Sequence, residues 1–497
     1  MIRLAGKRED SEPSPKGNTK KGVDSHLDLD HHPDGLDDME VDDTSASSSN
    51  SVKSPGESRS SQAGIRVLIV AYTFPPWGGL GSLRTVHMAN QLAAENDKVD
   101  VLTIRLPEPR PGQQFAPVPA YDRDSVALVS PGVKILRSYP GLLFILRPRL
   151  QSILRTAPGS RREIGLIKRF SLSIIRRLIL PISSLEWIAW GLLAGCRMAL
   201  RERYEVVYST DNPVSCRIVG FFVKVVFSIP WVLYIGDPYS FGAVEQLRPH
   251  WRLGIDKVID SLFLPHADRI IVNCEETMNG YLHRFPRLER ERFQVITDGF
   301  DEKRYNSIES LPVDHFRIVY TGTLYAGSRD LDRFFRALPL LHTSPIEVVV
   351  AGTIDPSVKS MIDSLAMTHE VHTVGFQPHD KVVALQKGAT VLLLAGWSAG
   401  YQIPGKVFEY FGARRPILAI RSDEMDLGAK LVEKQRRGIV VEDDLGKILA
   451  ALEKLSSLWR EGRLDGAFDL SELKEYSWGG LAPAFGSLLR ELVGPSA

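Results

Sequence analysis

A chain of 497 residues exceeds one ordinary domain of ~100–200 residues and implies two or three. Its 43% hydrophobic content permits large buried cores, and a net charge of +1 excludes polyanion binding through bulk charge. Three cysteines, Cys196, Cys216 and Cys274, lie far apart without CxxC spacing, which argues against a disulfide framework or a thiolate zinc site and points to a reducing compartment.

Residues 1–63 are rich in Ser, Asp, Gly and Pro, and between Asp24 and Asp43 they carry nine acids and no Lys or Arg. Such a stretch cannot bury enough apolar surface to offset its ordering entropy, so it reads as a disordered acidic tail. The sharper alternative is a regulatory arm for the basic segment further on. The charged first ten residues do not suit a signal peptide. No uncharged apolar run reaches the ~18 residues of a membrane span, and the nearest candidate, 178–200, contains Glu186 and Arg197 and reads as an ordinary helix.

Order is expected from Ile65. The β-branched run 65–71 suits a buried parallel strand, a loop dense in Pro and Gly covers 72–82, a helical pattern follows over 83–94, and 98–103 reads as a second strand. This is one βαβ unit. Gly78, Gly79 and Gly81 lie between its strand and its helix, where bare backbone N–H groups and a helix N-terminus favour phosphate oxygens; the plainer alternative is a tight turn. A dinucleotide fingerprint fits poorly, because Arg84 takes the third glycine position and no acid ends the second strand.

Between Gly141 and Leu180 nine Lys or Arg, among them Arg161, Arg162, Lys168 and Arg169, face one acid, Glu163, with apolar residues interleaved. This pattern reads as a basic amphipathic insertion suited to an anionic membrane surface or an acceptor, with a solvated helix face as the alternative. Nucleic acid is not expected, since no binding module accompanies it. Strands are then predicted at 205–209, 231–235, 269–273 and 293–296, with a helix at 214–227. The alternation restarts with strands at 317–321, 347–351, 371–374, 391–394, 416–420 and 438–441, and a helix at 330–341. The fold class is therefore α/β: two Rossmann-like, doubly wound parallel sheets facing a cleft, where ligands sit at the carboxyl ends of the strands. The expected division is a tail 1–63, a first domain 64–300, a second domain 301–480 and a terminal helix 481–497.

Five segments in register resemble the GT-B glycosyltransferases, in particular the large retaining group called group 1 or family four. They are Phe-Pro-Pro-Trp-Gly-Gly at 74–79, Ala-Asp-Arg-Ile-Ile-Val-Asn at 267–273, Val-Ile-Thr-Asp-Gly-Phe-Asp at 295–301, Val-Tyr-Thr-Gly-Thr at 319–323, and Pro-Gly-Lys-Val-Phe-Glu-Tyr at 404–410 with Arg-Pro-Ile-Leu at 415–418. The resemblance runs from about 65 to 490. It implies a hexosyl transfer from a nucleotide diphosphate sugar, with no metal and no cofactor beyond that substrate. The acceptor would be a lipid-linked or envelope glycan, reached from the cytoplasmic face of a membrane.

The resemblance also implies roles. Glu409 stands where the family's ribose-binding glutamate lies, and a carboxylate accepts two hydrogen bonds from a vicinal diol. Relatives place an Arg and a Lys after the first strand of the second domain. Here Thr323 stands where Arg is frequent, Arg329 is the cation of that loop, and Lys406 is a second candidate for the diphosphate. Tyr401 replaces a glutamate that contacts the donor sugar. Asp237 follows a strand in Gly-Asp-Pro-Tyr, similar to an Arg-Asp-Pro-Trp motif of some members, and suits an acceptor contact or catalytic base; an Asx turn is the alternative. Asp211, in Asp-Asn-Pro, has the same ambiguity. Two other functions stay open: an epimerase of nucleotide sugars, and a non-catalytic binding protein.

Overall fold

The computed structural model describes residues 64–107, 121–146, 184–242, 245, 249–311, 313–324, 331–341, 346–365, 370–397 and 400–494. The acidic tail, most of the basic insertion, and Arg161, Arg162, Lys168, Arg169 and Arg329 lie outside them.

Two all-parallel sheets carry the chain. The first comprises β1 Arg66–Val70, β2 Lys98–Ile104, β3 Val133–Ser138, β4 Val206–Thr210, β5 Trp231–Ile235, β6 Arg269–Val272 and β7 Phe293–Val295, in the order β3-β2-β1-β4-β5-β6-β7. The second comprises β8 Arg317–Thr321, β9 Glu347–Ala351, β10 Glu370–Gly375, β11 Val391–Ala395, β12 Ile417–Arg421 and β13 Gly438–Glu442, in the order β10-β9-β8-β11-β12-β13. β1, β4, β5 and β11 are buried along almost their whole length on both faces because helices cover both. β3 differs. It is an edge strand whose buried and open positions alternate along Val-Lys-Ile-Leu-Arg-Ser, so it shows no continuous apolar run in the sequence.

The helices are α1 Leu80–Ala94, α2 Trp187–Glu202, α3 Val214–Phe227, α4 His250–Phe263, α5 Glu275–Arg284, α6 Glu302–Ser307, α7 Asp332–Ala337, α8 Pro356–Ser364, α9 His379–Lys387, α10 Lys406–Ala413, α11 Leu427–Lys434, α12 Leu445–Arg460 and α13 Trp478–Val493. On one face of the first sheet, Val86 and Met88 of α1 and Phe485 and Leu489 of α13 pack on Val67 and Ile69. On the other, Trp187 of α2 and Val219 of α3 pack on Leu68 and Val70. α13 is thus the last element of the chain yet part of the first half. The crossing back is fixed by Trp478 N–H donating to Phe300 O at 2.9 Å and Phe300 N–H donating to Tyr476 O at 3.1 Å. α7 stops at Ala337 and tightens into a 3₁₀ turn over Leu338–Leu340, shorter than the predicted 330–341, because Pro339 has no N–H to continue an α-helix.

In each sheet the strand order reverses beside its first strand, at β1/β4 and at β8/β11. The crevices beyond the carboxyl ends of those strands are where such sheets take ligands.

Candidate active site

The loop leaving β1 enters α1 through Gly79, whose φ of 103° belongs to the left-handed side that favours glycine. A Cβ at Gly79 or at Gly81 would meet nothing within 4 Å, so this end of α1 presents backbone to open space. Gly78 is half-buried beside them. Opposite lies the loop leaving β8. Its Gly322 has φ 127°, and a Cβ there would fall 2.0 Å from Lys406 Nζ. The Lys406 ammonium therefore rests directly on this loop. It donates to Tyr320 Oη at 3.0 Å and lies 4.4 Å from the centre of that ring, while the Tyr320 hydroxyl donates to Thr323 O at 2.9 Å. Lys406, Tyr320 and Thr323 form one unit at the carboxyl end of β8.

Glu409 sits one turn further along α10. Its Oε1 lies 3.3 Å from His379 Nε2 and its Oε2 accepts from Gln386 Nε2 at 3.4 Å. Gln386 also donates to Thr321 Oγ1 at 3.0 Å and accepts from the Tyr305 hydroxyl. Burial pushes the Glu409 carboxyl up, but the hydrogen bonds from His379 and Gln386 and the His379 and Lys406 charges outweigh it and hold the pKa below the ordinary value. The carboxylate stays ionised. It lines a narrow crevice shared by both halves, with Leu80 and His87 of α1 on one side and Arg304, His379 and Glu409 on the other.

His87 closes the first half's side of this crevice. Its ring stacks on Trp478 with centroids 5.5 Å apart, and Nε2 lies 3.6 Å from Asp301 Oδ2. Burial lowers its pKa from 6.5 to about 4, against the pull of Asp301 and with His379, Arg304 and Lys303 adding repulsion. The imidazole is neutral at pH 7. Because the unfolded chain takes up this proton first, stability falls as pH drops from 6.5 to about 4. The loss amounts to ~3 kcal/mol. Urea melts across that range will show a shallower slope for His87→Gln.

Asp237 lies at the carboxyl end of β5, exposed, and accepts from Gln402 Nε2 at 2.5 Å. Tyr401, beside Gln402, packs its ring edge-on to Phe241 at 4.9 Å under the Arg284 guanidinium, and its carbonyl accepts from the Thr277 hydroxyl. The loop between β11 and α10 is thus fastened to the first half at the position where relatives carry a glutamate. Asp211 has a different fate: it is fully buried against Arg217. Among the described residues no group of three His, Cys, Asp or Glu is arranged to hold a metal ion.

The structure places Thr323 and Lys406 together at the carboxyl end of β8 through Tyr320, and sets Glu409 in a crevice that it shares with Leu80, the residue between Gly79 and Gly81. Sequence reading passed over His87, His379, Gln386 and the buried Arg84–Asp298 ion pair. Asp298 and Asp301 were visible within the 295–301 motif, whereas nothing local marks His379 or Gln386.

Residues 315–457 match the family model described as Glycosyl transferases group 1. The chain is similar in structure to a glycosyltransferase from Rickettsia africae ESF-5, with 9% identity, 87% of this chain and 100% of that one covered, and a TM-score of 0.58. It is also similar to Anabaena HepE in complex with UDP-glucose (14% identity, 86% and 96% covered, TM-score 0.50). A third likeness is to WaaG, a glycosyltransferase involved in lipopolysaccharide biosynthesis (15% identity, 85% and 99% covered, TM-score 0.50). A putative UDP-N-acetylglucosamine 2-epimerase from Listeria monocytogenes shares the frame at 10% identity and a TM-score of 0.50. At these identities the likeness is one of fold, and that fold is GT-B, as the motifs implied. No curated protein sequence matches the chain.

Proposed function

We propose that this GT-B protein, with a group 1 glycosyl transferase match over residues 315–457, transfers a hexose from a nucleoside diphosphate sugar to a lipid-linked or envelope glycan. Glu409 carries the reading. It is a carboxylate kept ionised inside a crevice walled by both halves, one helical turn from the Lys406 ammonium. Glu409 accepts the two ribose hydroxyls. Lys406 and Arg329, with the backbone around Gly78, Gly79, Gly81 and Thr323, take the diphosphate, where negative charge grows as the sugar leaves. The bond from the anomeric carbon to the phosphate oxygen breaks, the acceptor oxygen bonds to that carbon, and Asp237 orients the acceptor hydroxyl and receives its proton. The charge on the leaving group is met by these cations without a resident metal. The basic stretch with Arg161, Arg162, Lys168 and Arg169 holds the enzyme at the cytoplasmic face of an anionic membrane, beside its acceptor.

Calorimetry against UDP-, GDP- and ADP-sugars tests the donor site. One series will bind, and Glu409→Ala will weaken it ~10–100-fold, since a hydrogen bond to a charged group is worth ~1.5–3 kcal/mol. Equal binding by Glu409→Ala would sink the reading. Tyr401 favours a second reading, a non-catalytic binder, because the position that touches the donor sugar in relatives is here an interdomain aromatic contact. Nucleotide binding without release of nucleoside diphosphate in the presence of any acceptor extract would select it.

A further inference from the structure

Asp237 belongs to the first half, yet it accepts a hydrogen bond from the second. Gln402 stands in the loop between β11 and α10, 165 residues further along the chain, and its Nε2 donates to Asp237 Oδ1 at 2.5 Å. An amide side chain can turn over and exchange its donor end for its acceptor end. Trp397 prevents that here. Its Nε1–H can only donate, and it donates to Gln402 Oε1 at 3.0 Å, which leaves the amide NH₂ directed at Asp237. Trp397 is fastened in turn. Its backbone N–H donates to Asp426 Oδ2 at 3.1 Å, and Asp426, 1% exposed, caps α11 by accepting from the Ala429 N–H at 3.0 Å. A chain of three hydrogen bonds thus runs from the buried Asp426 of the second half to Asp237 of the first.

The first half receives this chain on a shaped surface. Thr277 and Phe241 hold Tyr401, the residue before Gln402. A Cβ at Gly280 would come 3.0 Å from the Tyr401 ring, so α5 is bare where Tyr401 lands. On the other side, a Cβ at Gly236 would lie 3.0 Å from Tyr234 Oη and 3.5 Å from Arg84 Nη1. The charged and titratable groups packed around this contact are therefore Arg84 of α1 with its partner Asp298, Tyr234 of β5, and Cys274 and Arg284 at either end of α5.

We propose that Gln402 is the positioning residue for Asp237, and that it readies the carboxylate to take a proton only while the two halves are together. The inference rests on the role of Asp237 as the base given above. A neutral amide donor fixes the orientation of the carboxylate and favours its ionised form, without the full neutralisation that a paired cation would bring. When the halves part, this donor leaves with the second half.

Hydrolysis of whichever nucleotide sugar calorimetry selects from UDP-, GDP- and ADP-glucose, read as released nucleoside diphosphate, tests this without a known acceptor. Water attacks the anomeric carbon, the bond to the phosphate oxygen breaks, and Asp237 takes the proton. Gln402→Leu will lower the rate at pH 7 ~10-fold and move the acid limb of the pH profile up by about one pH unit, with donor affinity within ~2-fold of the parent. Gln402→Glu will move the limb further, by about two units, because two carboxylates in contact cannot both ionise. Trp397→Phe, which frees the amide to turn, will shift it the same way by less. A plain strut between the halves would be lost in all three variants and would leave the limb where it was. Asp237→Asn will cost ~10²-fold or more, as the base is gone. If Asp237→Asn is inactive while the limbs of both Gln402 variants coincide with the parent's, the positioning role falls and the proposed reaction stands. If Asp237→Asn matches the parent, or the parent releases no nucleoside diphosphate, both fall.

Discussion

Arg217→Met will lower the melting temperature of the protein by ~10 °C, the largest stability effect expected of any single polar substitution here. Arg217 on α3 is fully buried. Its Nε donates to Asp211 Oδ1 at 2.7 Å and its Nη2 to Asp211 Oδ2 at 2.5 Å, while Nη1 donates to Asp260 Oδ1 at 2.5 Å. One guanidinium thus ties the end of β4 to α3 and α4. Burial drives the Asp211 carboxyl up to about 7 even against the pull of Arg217. Remove that cation and two buried carboxyls face each other unpaired, a loss of ~3–5 kcal/mol. The sign with pH follows. Without the cation the Asp211 carboxyl would hold its proton to a still higher pH folded than unfolded, so the penalty grows as pH rises and the deficit will be larger at pH 8 than at pH 5. Adding Asp211→Asn and Asp260→Asn will restore part of the loss at pH 8. The consequence reaches the site, because the Tyr239 hydroxyl in the loop that bears Asp237 donates to Asp211 O at 3.2 Å. A melting temperature within 2 °C of the parent by calorimetry, against the ~10 °C expected, would refute this account.

Lys406→Ala will reduce kcat by ~10²–10³, with a much smaller change in donor affinity, if the ammonium meets charge that develops only as the nucleoside diphosphate departs. The geometry supplies two controls. Tyr320→Phe keeps the ring under the ammonium but removes the 3.0 Å hydrogen bond, and will cost far less than Lys406→Ala. Gly322→Ala places a methyl group 2.0 Å from the resting position of Nζ at a φ that disfavours side chains, and will approach the Lys406→Ala defect with Lys406 intact. Steady-state kinetics on the identified donor reads all three. A Lys406→Ala enzyme within ~3-fold of the parent kcat would remove Lys406 from the chemistry, since loss of a donor aimed at developing charge costs far more.

Most strands were legible because a parallel strand covered on both faces is a short β-branched run whatever its neighbours are: 231–235, 317–321 and 347–351 coincide with β5, β8 and β9. Helix 214–227 was equally plain. β3 was not, since an edge strand with Lys134 and Arg137 in it leaves only alternation to read. The glycines at 79 and 81 could be placed just beyond the carboxyl end of β1, because a loop that follows a strand in a doubly wound sheet has one place to go.

What the sequence determined by itself is therefore the local alternation, the restart that makes two sheets, and the identity of the groups at the strand ends. The tertiary structure decided the company those groups keep. Glu409 is held ionised by His379 and Gln386, which lie 30 and 23 residues earlier. Asp211 and Asp237 looked alike as Asp at a strand end, yet one is locked in the core by Arg217 and the other meets Gln402 across the cleft, 165 residues away. The last helix returns to the first sheet, and α4 turns its acids inward. Each of these outcomes depends on pairings between distant segments. Local propensity carries no information about them, because burial and partner charge exist only after the chain has closed on itself.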